Sequence, residues 1–301
     1  MIYDTIVIGG GPSALSAALY LGRYKLKTLI ITDSFGGLAG VAGAVDNYTG
    51  IETIDGFELV QNMVKQVKKL EDVEIKEGEA VSLVSGYTDG FKVATSNSEF
   101  MCKTVLVCIG KQPRKLGVTG EDELIGKGLS YCATCDGPLA KGRDVIVIGG
   151  GRSATEAAIT LSKTVNKITI VNINDSLAGE KVTLDKLEAL ESVKQINNAE
   201  TKNFILKDNL IKGVNYTDKT SSETNQALGD MVFVEIGQVA NSKPFKDLVD
   251  TNKASEIVVD LKTNKTSQEG IFASGDITDI EFKQIVIAAG EGAKAVLAVT
   301  N

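Results

Sequence analysis

Residues 5–14 read Thr-Ile-Val-Ile-Gly-Gly-Gly-Pro-Ser-Ala, an apolar strand that runs into a Gly-x-Gly-x-x-Ala turn. A helical pattern of small and apolar residues follows this turn. In such a unit Gly9 permits the tight turn, Gly11 lets the backbone approach a pyrophosphate, and Ala14 lets helix and strand pack closely. The stretch therefore predicts a dinucleotide site at the first turn of a parallel α/β domain.

A second stretch, residues 145–154, repeats the design as Val-Ile-Val-Ile-Gly-Gly-Gly-Arg-Ser-Ala. Gly149, Gly151 and Ala154 take the three places of the motif, and a helical pattern follows again. One glycine motif is a weak signal, whereas two copies, each after an apolar strand and before a helix, are a strong one. We therefore predict an α/β chain with two Rossmann-like, three-layer domains, each able to bind a dinucleotide.

Between the two units lies a Cys-x-x-Cys pair in Tyr131-Cys132-Ala133-Thr134-Cys135-Asp136. Two thiols at this spacing cycle between dithiol and disulfide without large backbone movement, and their pairing lowers the pKa of one thiol. The alternative for such a pair is half of a zinc site. Because the chain has no histidine and no second Cys-x-x-Cys, redox chemistry is the favoured interpretation and no metal is expected.

The absence of histidine also excludes histidine-dependent hydrolysis, so proton transfer falls to a carboxylate, a lysine or a tyrosine. Asp136 directly follows the second cysteine and is the nearest candidate for a general acid or base. The same residue suits a turn or a helix cap before Gly137-Pro138, and the two roles are compatible. Of the remaining cysteines, Cys108 lies in a β-branched run and is expected to be a small buried hydrophobe, and Cys102 to be structural or exposed.

Composition favours a cytoplasmic enzyme. The chain has 301 residues, 43% of them hydrophobic, and a formal net charge of −7, which opposes binding to nucleic acid. The first strand follows Met1 without the pattern of a signal peptide, and no apolar run is long enough to cross a bilayer. We therefore expect neither a nucleic-acid partner nor a membrane partner.

The pattern along the chain predicts a discontinuous first domain. Residues 1–113 form its first part, with short strands near 73–82, 90–95 and 99–109 that look like a three-stranded insert. Glycine and proline at 110–113 mark a crossing into a second domain, 114–244, which carries the Cys-x-x-Cys pair. Residues 245–301 are expected to complete the first domain after a return crossing at Asn241–Pro244.

Over essentially its whole length the chain resembles the low-molecular-weight thioredoxin reductases, flavoproteins in which an FAD domain is interrupted by a smaller pyridine-nucleotide domain that carries the redox dithiol. The motifs that carry the resemblance are Cys132-Ala-Thr-Cys135-Asp136-Gly137, the two glycine turns, Asp46-Asn47-Tyr48 with Gly50, Gly275-Asp276, and Gln284-Ile285 before Ala288-Ala289-Gly290.

The resemblance implies a role for each of these motifs. Gly9, Gly11 and Ala14 hold the FAD pyrophosphate, Gly275 and Asp276 lie near the ribityl chain, and Asp33 meets the adenosine ribose. Around the isoalloxazine lie Asn47, Gln284 and Ile285. In this family Cys135 faces the flavin, whereas Cys132 exchanges with the disulfide of a protein substrate. The resemblance further implies a thioredoxin-like or glutaredoxin-like partner and a homodimer.

The sequence departs from its relatives at the electron donor. Family members that use NADPH follow the second motif with a His-Arg-Arg-type run, but here the place reads Val171-Asn-Ile-Asn-Asp-Ser176, and no arginine follows Arg152. Asn172 also replaces the acidic residue that favours NADH. Arg152, Lys181 and Lys186 are the candidate cations for a phosphate, although such residues more often form a solvated surface.

The second motif, at Gly149, Gly151 and Ala154, thus keeps a dinucleotide cradle but fits neither NADPH nor NADH well. By analogy with divergent family members, we predict that reduced ferredoxin or a reduced deazaflavin is the donor. Two alternatives to a disulfide reductase remain open: a flavin-dependent dithiol oxidase that uses oxygen, and a non-catalytic flavin redox sensor.

Overall fold

The structure is a computed structural model that describes residues 1–42, 44–87 and 90–300. The chain forms two compact units. The first unit comprises Met1–Gln112 and Val239–Asn301, and the second comprises Pro113–Gln238. The first unit is thus built from two separate parts of the chain.

The first part of the first unit alternates strands and helices and then continues in a β-meander. Its elements are β1 (Ile2–Ile8), α1 (Pro12–Arg23), β2 (Thr28–Thr32), α2 (Gly37–Gly40), β3 (Ala44–Val45), β4 (Ile54–Asp55), α3 (Gly56–Val67), β5 (Val73–Glu77), β6 (Val81–Tyr87), β7 (Gly90–Thr95), β8 (Glu99–Val107) and β9 (Lys111–Pro113).

The second unit contains the Cys-x-x-Cys pair and ends at the return crossing. Its elements are α4 (Glu121–Leu124), β10 (Leu129–Ser130), α5 (Ala133–Asp136), β11 (Asp144–Ile148), α6 (Arg152–Leu161), β12 (Lys167–Val171), α7 (Lys181–Glu188), β13 (Val193–Ile196), β14 (Ala199–Lys207), β15 (Leu210–Asp218), β16 (Thr224–Leu228) and β17 (Met231–Val234). After the crossing strand β18 (Gln238–Ala240), the chain completes the first unit with β19 (Ile271–Ala273) and α8 (Ile285–Val299).

The first unit is a three-layer sandwich around one sheet in the order β5-β2-β1-β8-β7-β6, with β19 paired to β8. The strands β5, β2, β1, β8 and β19 run parallel, and the inner strands β1 and β2 are buried as expected for a parallel sheet. One face packs on α1, α3 and α8 through a cluster that includes Val7, Leu15, Val60 and Val296. On the other face, side chains of β6 and β7, which continue the same sheet, and of the segment around Phe245 form a second cluster.

Residues 73–77 differ from the sequence prediction, which placed them in a three-stranded insert. They form β5, which pairs in parallel with β2 at the edge of the main sheet. The reason is the preceding helix α3, which carries the chain back over the sheet before β5 begins. The meander consists instead of β6, β7 and β8, which pair in antiparallel fashion.

The second unit has a parallel sheet in the order β10-β17-β11-β12-β13 and a separate antiparallel sheet, β14-β15-β16. One face of the parallel sheet packs on α6 and α7 through residues such as Ala158, Leu161 and Leu187. The other face packs on the antiparallel strands through residues such as Ile211 and Val214. The predicted α/β class with two Rossmann-like domains is therefore confirmed.

The two crossings consist of the short strands β9 and β18, which pair with each other. The sequence predicts the return crossing at Asn241–Pro244 and the domain boundary after residue 244, whereas the compact units divide between Gln238 and Val239. Pro244 lies instead in a 3-10 turn, Lys243–Phe245, that belongs to the first unit. Phe245 in this turn is completely buried, which is why the segment packs with that unit.

The helices are short. Among those that the structure describes, α8 is the longest, with 15 residues. Within residues 1–42, 44–87 and 90–300, none of the helices combines the length and the hydrophobicity that crossing a bilayer requires.

Candidate redox and dinucleotide sites

The Cys-x-x-Cys pair forms a disulfide at the start of α5 in the second unit. The Cα atoms of Cys132 and Cys135 lie 5.3 Å apart. Cys132 is the N-cap of α5, and its Sγ accepts a hydrogen bond of 3.1 Å from the backbone N–H of Cys135. Cys132 is half-buried, whereas Thr134 and Cys135 are exposed. The disulfide therefore lies on a tight turn that a second protein can reach.

The chain in front of the disulfide is anchored by a buried carboxylate, that of Glu121. Glu121 is only 4% exposed and accepts hydrogen bonds from the backbone N–H groups of Leu116 and Gly117, at 2.7 and 2.8 Å. It also accepts a hydrogen bond from the hydroxyl of Tyr131. Burial and this carboxylate raise the pKa of Tyr131, so its ring is held as a neutral phenol directly before Cys132. The local sequence does not single out Glu121, because it is the first of three consecutive acidic residues.

Asp136 ends α5, and its side chain is half-buried. Its backbone N–H donates to the carbonyl of Cys132 at 3.1 Å, which closes the turn around the disulfide. Asp136 thus lies within one helical turn of both cysteines.

A second carboxylate that the sequence analysis missed lies beside the disulfide. Glu235 follows β17, and its Oε2 accepts a hydrogen bond from the Ser153 hydroxyl at the start of α6. Its carboxylate also accepts a hydrogen bond from the backbone N–H of Ala133, between the two cysteines. Burial is the largest influence on Glu235 and raises its pKa, although these hydrogen bonds oppose the rise. The structure therefore joins the dithiol turn to the second glycine motif.

The first glycine motif forms the predicted turn. Gly9 has a φ of +125°, and a Cβ on it would lie 2.3 Å from the carbonyl oxygen of Cys108, so only glycine fits. Gly11 is the N-cap of α1 and makes no side-chain cap, and a Cβ there would meet nothing closer than the Gly36 carbonyl at 3.9 Å. Ala14 is fully buried against the sheet. The N-terminus of α1 thus offers free backbone donors and open space, which fits a pyrophosphate.

Three further groups of residues in the first unit are predicted to hold FAD. A Cβ on Gly275 would lie 3.0 Å from the Cβ of Ser13, which places Gly275-Asp276 against α1. Asn47 Nδ2 donates to Gln284 Oε1 at 3.2 Å, and Ile285 begins α8 directly afterwards. Asp33 follows β2 with an exposed side chain.

A group of charged side chains surrounds Asp276. Lys111 Nζ lies 2.7 Å and Lys283 Nζ 3.5 Å from Glu256 Oε1. Burial raises the pKa of Glu256, but the hydrogen bonds from Lys111 and Asn252 and the charge of Lys283 outweigh it, so the net pKa is lowered. For Asp276, burial dominates and raises the pKa, while Lys283 and Lys111 act in the opposite direction. The candidate FAD site therefore contains two lysines that the sequence analysis did not single out.

The second glycine motif has the same backbone geometry as the first. Gly149 has a φ of +138°, and a Cβ on it would lie 2.1 Å from the carbonyl oxygen of Glu235. Gly151 is the N-cap of α6 without a side-chain cap, a Cβ there would meet nothing within 4 Å, and Ala154 is fully buried. The local structure thus also fits a dinucleotide pyrophosphate.

The residue that follows β12 differs from a nucleotide-binding acid. Asn172 is fully buried, and its amide donates to the Ser176 carbonyl at 2.8 Å and to Asn197 Oδ1 at 3.1 Å. Its Oδ1 accepts from the backbone N–H of Asn174 at 3.0 Å. The Asn172 side chain is therefore used to hold its own loop.

The cations near this motif are engaged by carboxylates. Arg152 lies 2.7 Å from Glu156 and 3.6 Å from Glu180, and Lys181 lies 3.0 Å from Asp185. All of these side chains are exposed, so each pair is weak. A phosphate at this position would nevertheless meet the neighbouring carboxylates as well as the cations.

The two remaining cysteines, Cys102 and Cys108, are buried in the first unit. Burial raises the pKa of the Cys102 thiol to about 12 and that of the Cys108 thiol to about 11. Cys108 Sγ lies 3.2 Å from Ser274 Oγ, beneath the first glycine motif. Cys108 is buried, as predicted. Cys102, predicted to be structural or exposed, is also buried.

Known proteins are similar to this chain over nearly its whole length. The sequence matches the pyridine nucleotide-disulphide oxidoreductase family over residues 3–292. Among solved structures, the thioredoxin reductase of Lactococcus lactis has a TM-score of 0.88 and 31% identity, with coverage of 99% of this chain and 98% of that chain. The thioredoxin reductase of T. acidophilum has a TM-score of 0.86 and 33% identity, with coverage of 99% and 97%.

A curated relative from Staphylococcus aureus, a subunit of its alkyl hydroperoxide reductase, is 36% identical over 296 residues, which cover 98% of this chain. The chain spans 58% of the length of that relative. These likenesses agree with the resemblance and with the Cys132–Cys135 disulfide. The chain therefore belongs to the pyridine nucleotide-disulphide oxidoreductase family, as a disulfide oxidoreductase of the low-molecular-weight thioredoxin reductase type.

Proposed function

We propose that this protein is an FAD-dependent reductase that transfers electrons through Cys132 and Cys135 to the disulfide of a thioredoxin-like or glutaredoxin-like protein. The observation that carries the proposal is the Cys132–Cys135 disulfide on an exposed turn of the second unit. The likeness to two thioredoxin reductases at 31% and 33% identity supports it.

The cysteines exchange disulfides in two balanced steps. The Cys132 thiolate attacks one sulfur of the partner disulfide, and the other partner sulfur leaves as a thiolate. Cys135 then attacks Cys132 Sγ, which restores the Cys132–Cys135 disulfide and releases the partner as a dithiol. Asp136 accepts the proton of the Cys135 thiol and returns it to the departing partner thiolate, and the other partner thiolate takes a proton from water.

The residues that hold FAD in this proposal all belong to the first unit. The N-terminus of α1 with Gly9, Gly11 and Ala14 binds the pyrophosphate, and Gly275 with Asp276 lies along the ribityl chain. Asn47, Gln284 and Ile285 lie around the isoalloxazine, and Asp33 meets the adenosine ribose. When bound, FAD supplies two electrons at a time to the Cys132–Cys135 disulfide.

The donor that reduces the flavin is in this proposal reduced ferredoxin or a reduced deazaflavin rather than NADPH or NADH. The local structure of the second unit supports this choice. Asn172 is buried and fully engaged, and Arg152 and Lys181 are paired with carboxylates. Gly149, Gly151 and Ala154 then remain as a dinucleotide cradle without the charges that discriminate between pyridine nucleotides.

The protein is further proposed to act in the cytoplasm as a homodimer. The name of the Staphylococcus aureus relative assigns it to an alkyl hydroperoxide reductase. A protein disulfide that serves peroxide reduction is therefore a related proposed substrate class. A partner of this kind is also a protein disulfide, so the same exchange at Cys132 applies.

Trapping of the mixed disulfide tests the proposal. Reduced Cys135→Ser protein is mixed with a bacterial thioredoxin that keeps one active-site cysteine, activated as a mixed disulfide with thionitrobenzoate, and the adducts are analysed by mass spectrometry. We expect a covalent adduct through Cys132 that is absent from the Cys132→Ser variant. No adduct, or equal adducts with both variants, would refute the proposed exchange.

Turnover assays on the unmodified, FAD-loaded protein separate the alternatives. Consumption of oxygen with a small dithiol, without transfer to thioredoxin, would show a dithiol oxidase. An absence of turnover with NADPH, NADH, reduced ferredoxin and reduced deazaflavin would favour the non-catalytic redox sensor.

A further inference from the structure

Glu235 lies between the redox turn and the second glycine motif, and the proposed exchange does not use it. Its backbone position is fixed, since its N–H donates to the Ile148 carbonyl at 2.7 Å and its own carbonyl faces Gly149. The side chain is half-buried and cannot move freely away from the two groups that it binds. These groups are the Ser153 hydroxyl and the Ala133 backbone N–H.

The contact with Ala133 places a carboxylate at the backbone of the redox turn. Ala133 is the residue after Cys132 and the first residue of α5. In the disulfide form, Cys132 Sγ already accepts the N–H of Cys135, so it is oriented toward the backbone donors of this turn. The Glu235 carboxylate accepts one of those N–H groups, that of Ala133, and places a negative charge beside the others.

Such a charge acts on the reduced form of the pair. The reduced pair holds two electrons more than the disulfide, together with two protons if both thiols are neutral and one proton if Cys132 is a thiolate. A nearby carboxylate disfavours the thiolate and therefore raises the pKa of the thiol. It also makes the reduced pair less stable relative to the disulfide, and hence a stronger reductant.

The other charged groups around Glu235 do not cancel the effect of its charge on the reduced cysteine pair. On α6, Glu156 adds a second negative charge and acts to raise the pKa of Glu235. Arg152 on the same helix lies 2.7 Å from Glu156 and 3.6 Å from Glu180, so its charge is directed to these two carboxylates. On α5, Asp136 adds a further carboxylate.

We infer that Glu235 is a positioning residue that clamps the redox turn through Ala133 and whose negative charge keeps the Cys132/Cys135 dithiol strongly reducing. The inference rests on the proposed role of these two cysteines as a redox couple. Glu235 then helps to set the reduction potential of the Cys132/Cys135 couple.

The test uses Glu235→Gln, which keeps the shape and removes the charge, with Glu156→Gln as the matched control on the same side of the molecule. For the reduced full-length proteins, the rate of Cys132 alkylation is measured against pH. The equilibrium of the pair with dithiothreitol is measured by alkylation and mass spectrometry. Neither readout needs the partner or electron transfer through the flavin.

We expect Glu235→Gln to lower the pKa of the Cys132 thiol and to raise its thiolate fraction at neutral pH by roughly three- to tenfold. The equilibrium with dithiothreitol should shift toward the dithiol by a similar factor, and Glu156→Gln should change both by less than about twofold. Unchanged values in Glu235→Gln, or equal changes in both variants, would overturn the inference.

A measurement on the unmodified chain covers the case in which Glu235→Gln does not fold. Because the coupling is reciprocal, ionisation of the Cys132 thiol should shift the carboxyl-carbon resonance of the charged Glu235, so the reduced protein should show an NMR step at the pKa of this thiol that the disulfide form lacks. Identical NMR titration curves in the two states would overturn the inference. Failure of the proposed function itself would appear differently, as normal activity in the cysteine variants.

Discussion

The Oδ1 atom of Asn172 packs directly on Gly150, so closely that a Cβ at Gly150 would lie 2.0 Å from it. The same oxygen accepts the N–H of Asn174, which fixes the loop after β12. A neutral, buried amide thus occupies the position from which an acidic or basic side chain would select a pyridine nucleotide. The identity of the electron donor is therefore the first property to test.

NADPH should reduce the flavin poorly. Each missing charge-assisted hydrogen bond to the 2′-phosphate removes roughly 1.5 to 3 kcal/mol, so two of them weaken binding by two or more orders of magnitude. Stopped-flow absorbance under anaerobic conditions measures the reduction directly, with reduced ferredoxin and reduced deazaflavin as comparison donors. Rapid and saturable bleaching by micromolar NADPH would contradict the prediction.

A gain of function checks the physical reason. Asn174 is exposed beyond β12, and Asn174→Arg should improve the apparent affinity for NADPH by about tenfold through one new charged contact. Ala189→Arg adds the same charge at the exposed end of α7 and should leave the affinity unchanged. Equal effects of both variants would indicate a general effect of net charge.

The FAD site should respond to a substitution that the apo fold tolerates. Gly11→Ala meets no atom closer than 3.9 Å in the protein, so the apoprotein should keep its thermal stability, while the added methyl group faces the space for the pyrophosphate. We expect noncovalent FAD in the unmodified protein, identified by chromatography after heat release, and a large loss of it in Gly11→Ala.

Two other glycines serve as controls for this prediction. Gly151→Ala is equally unhindered and should retain FAD, whereas Gly9→Ala should destabilise the fold, because its Cβ would lie 2.3 Å from a backbone oxygen. FMN in place of FAD, or full FAD binding by Gly11→Ala, would count against the proposed site.

The buried thiols should be inert. Because the thiols of Cys102 and Cys108 have pKa values of about 12 and about 11, their thiolate fractions at neutral pH are more than about a hundredfold below that of a free cysteine. Iodoacetamide should therefore modify Cys132 and Cys135 after mild reduction, and Cys102 and Cys108 only after denaturation, as read by peptide mass spectrometry.

The same pKa values predict how stability depends on pH. The folded chain keeps both thiols protonated where the unfolded chain begins to ionise, near the ordinary pKa of 9.0. Their contribution to the free energy of unfolding is therefore complete below about pH 9 and is lost as pH rises toward 11. Chemical denaturation of the Cys108→Ala variant should show less of this decline; an equal decline would assign it to other groups.

Asp136→Asn should slow disulfide reduction by roughly ten- to ten-thousand-fold if Asp136 is the acid or base. The FAD content should not change. Asp144→Asn, an exposed aspartate at the start of β11, is the control. An unchanged rate in Asp136→Asn would reduce its role to capping the turn.

Local sequence patterns were sufficient for the two glycine turns, since the positive φ of Gly9 and Gly149 is a requirement that glycine alone meets without strain. The pairing of Glu235 with Ala133 could not be predicted, because about a hundred residues and several strands separate them and no local pattern links them. β5 was misassigned for a related reason: an isolated edge strand has the same alternating pattern in a parallel sheet and in a meander.

The group of charged side chains around Asp276 could not be predicted from the sequence either. Lys111, Glu256 and Lys283 come from three distant segments, and each reads on its own as an ordinary surface residue. Only the packing of the first unit places them beside Asp276 and partly buries them.

The most direct test of the central claim is the steady-state rate of thioredoxin disulfide reduction by FAD-loaded Cys132→Ser and Cys135→Ser, with the flavin reduced chemically so that the donor does not matter. Both variants should keep normal FAD content and a normal flavin spectrum on reduction, and both rates should fall to background. If either variant retains a substantial part of the activity of the unmodified protein, the Cys132/Cys135 pair does not carry the electrons, and the proposed function is wrong.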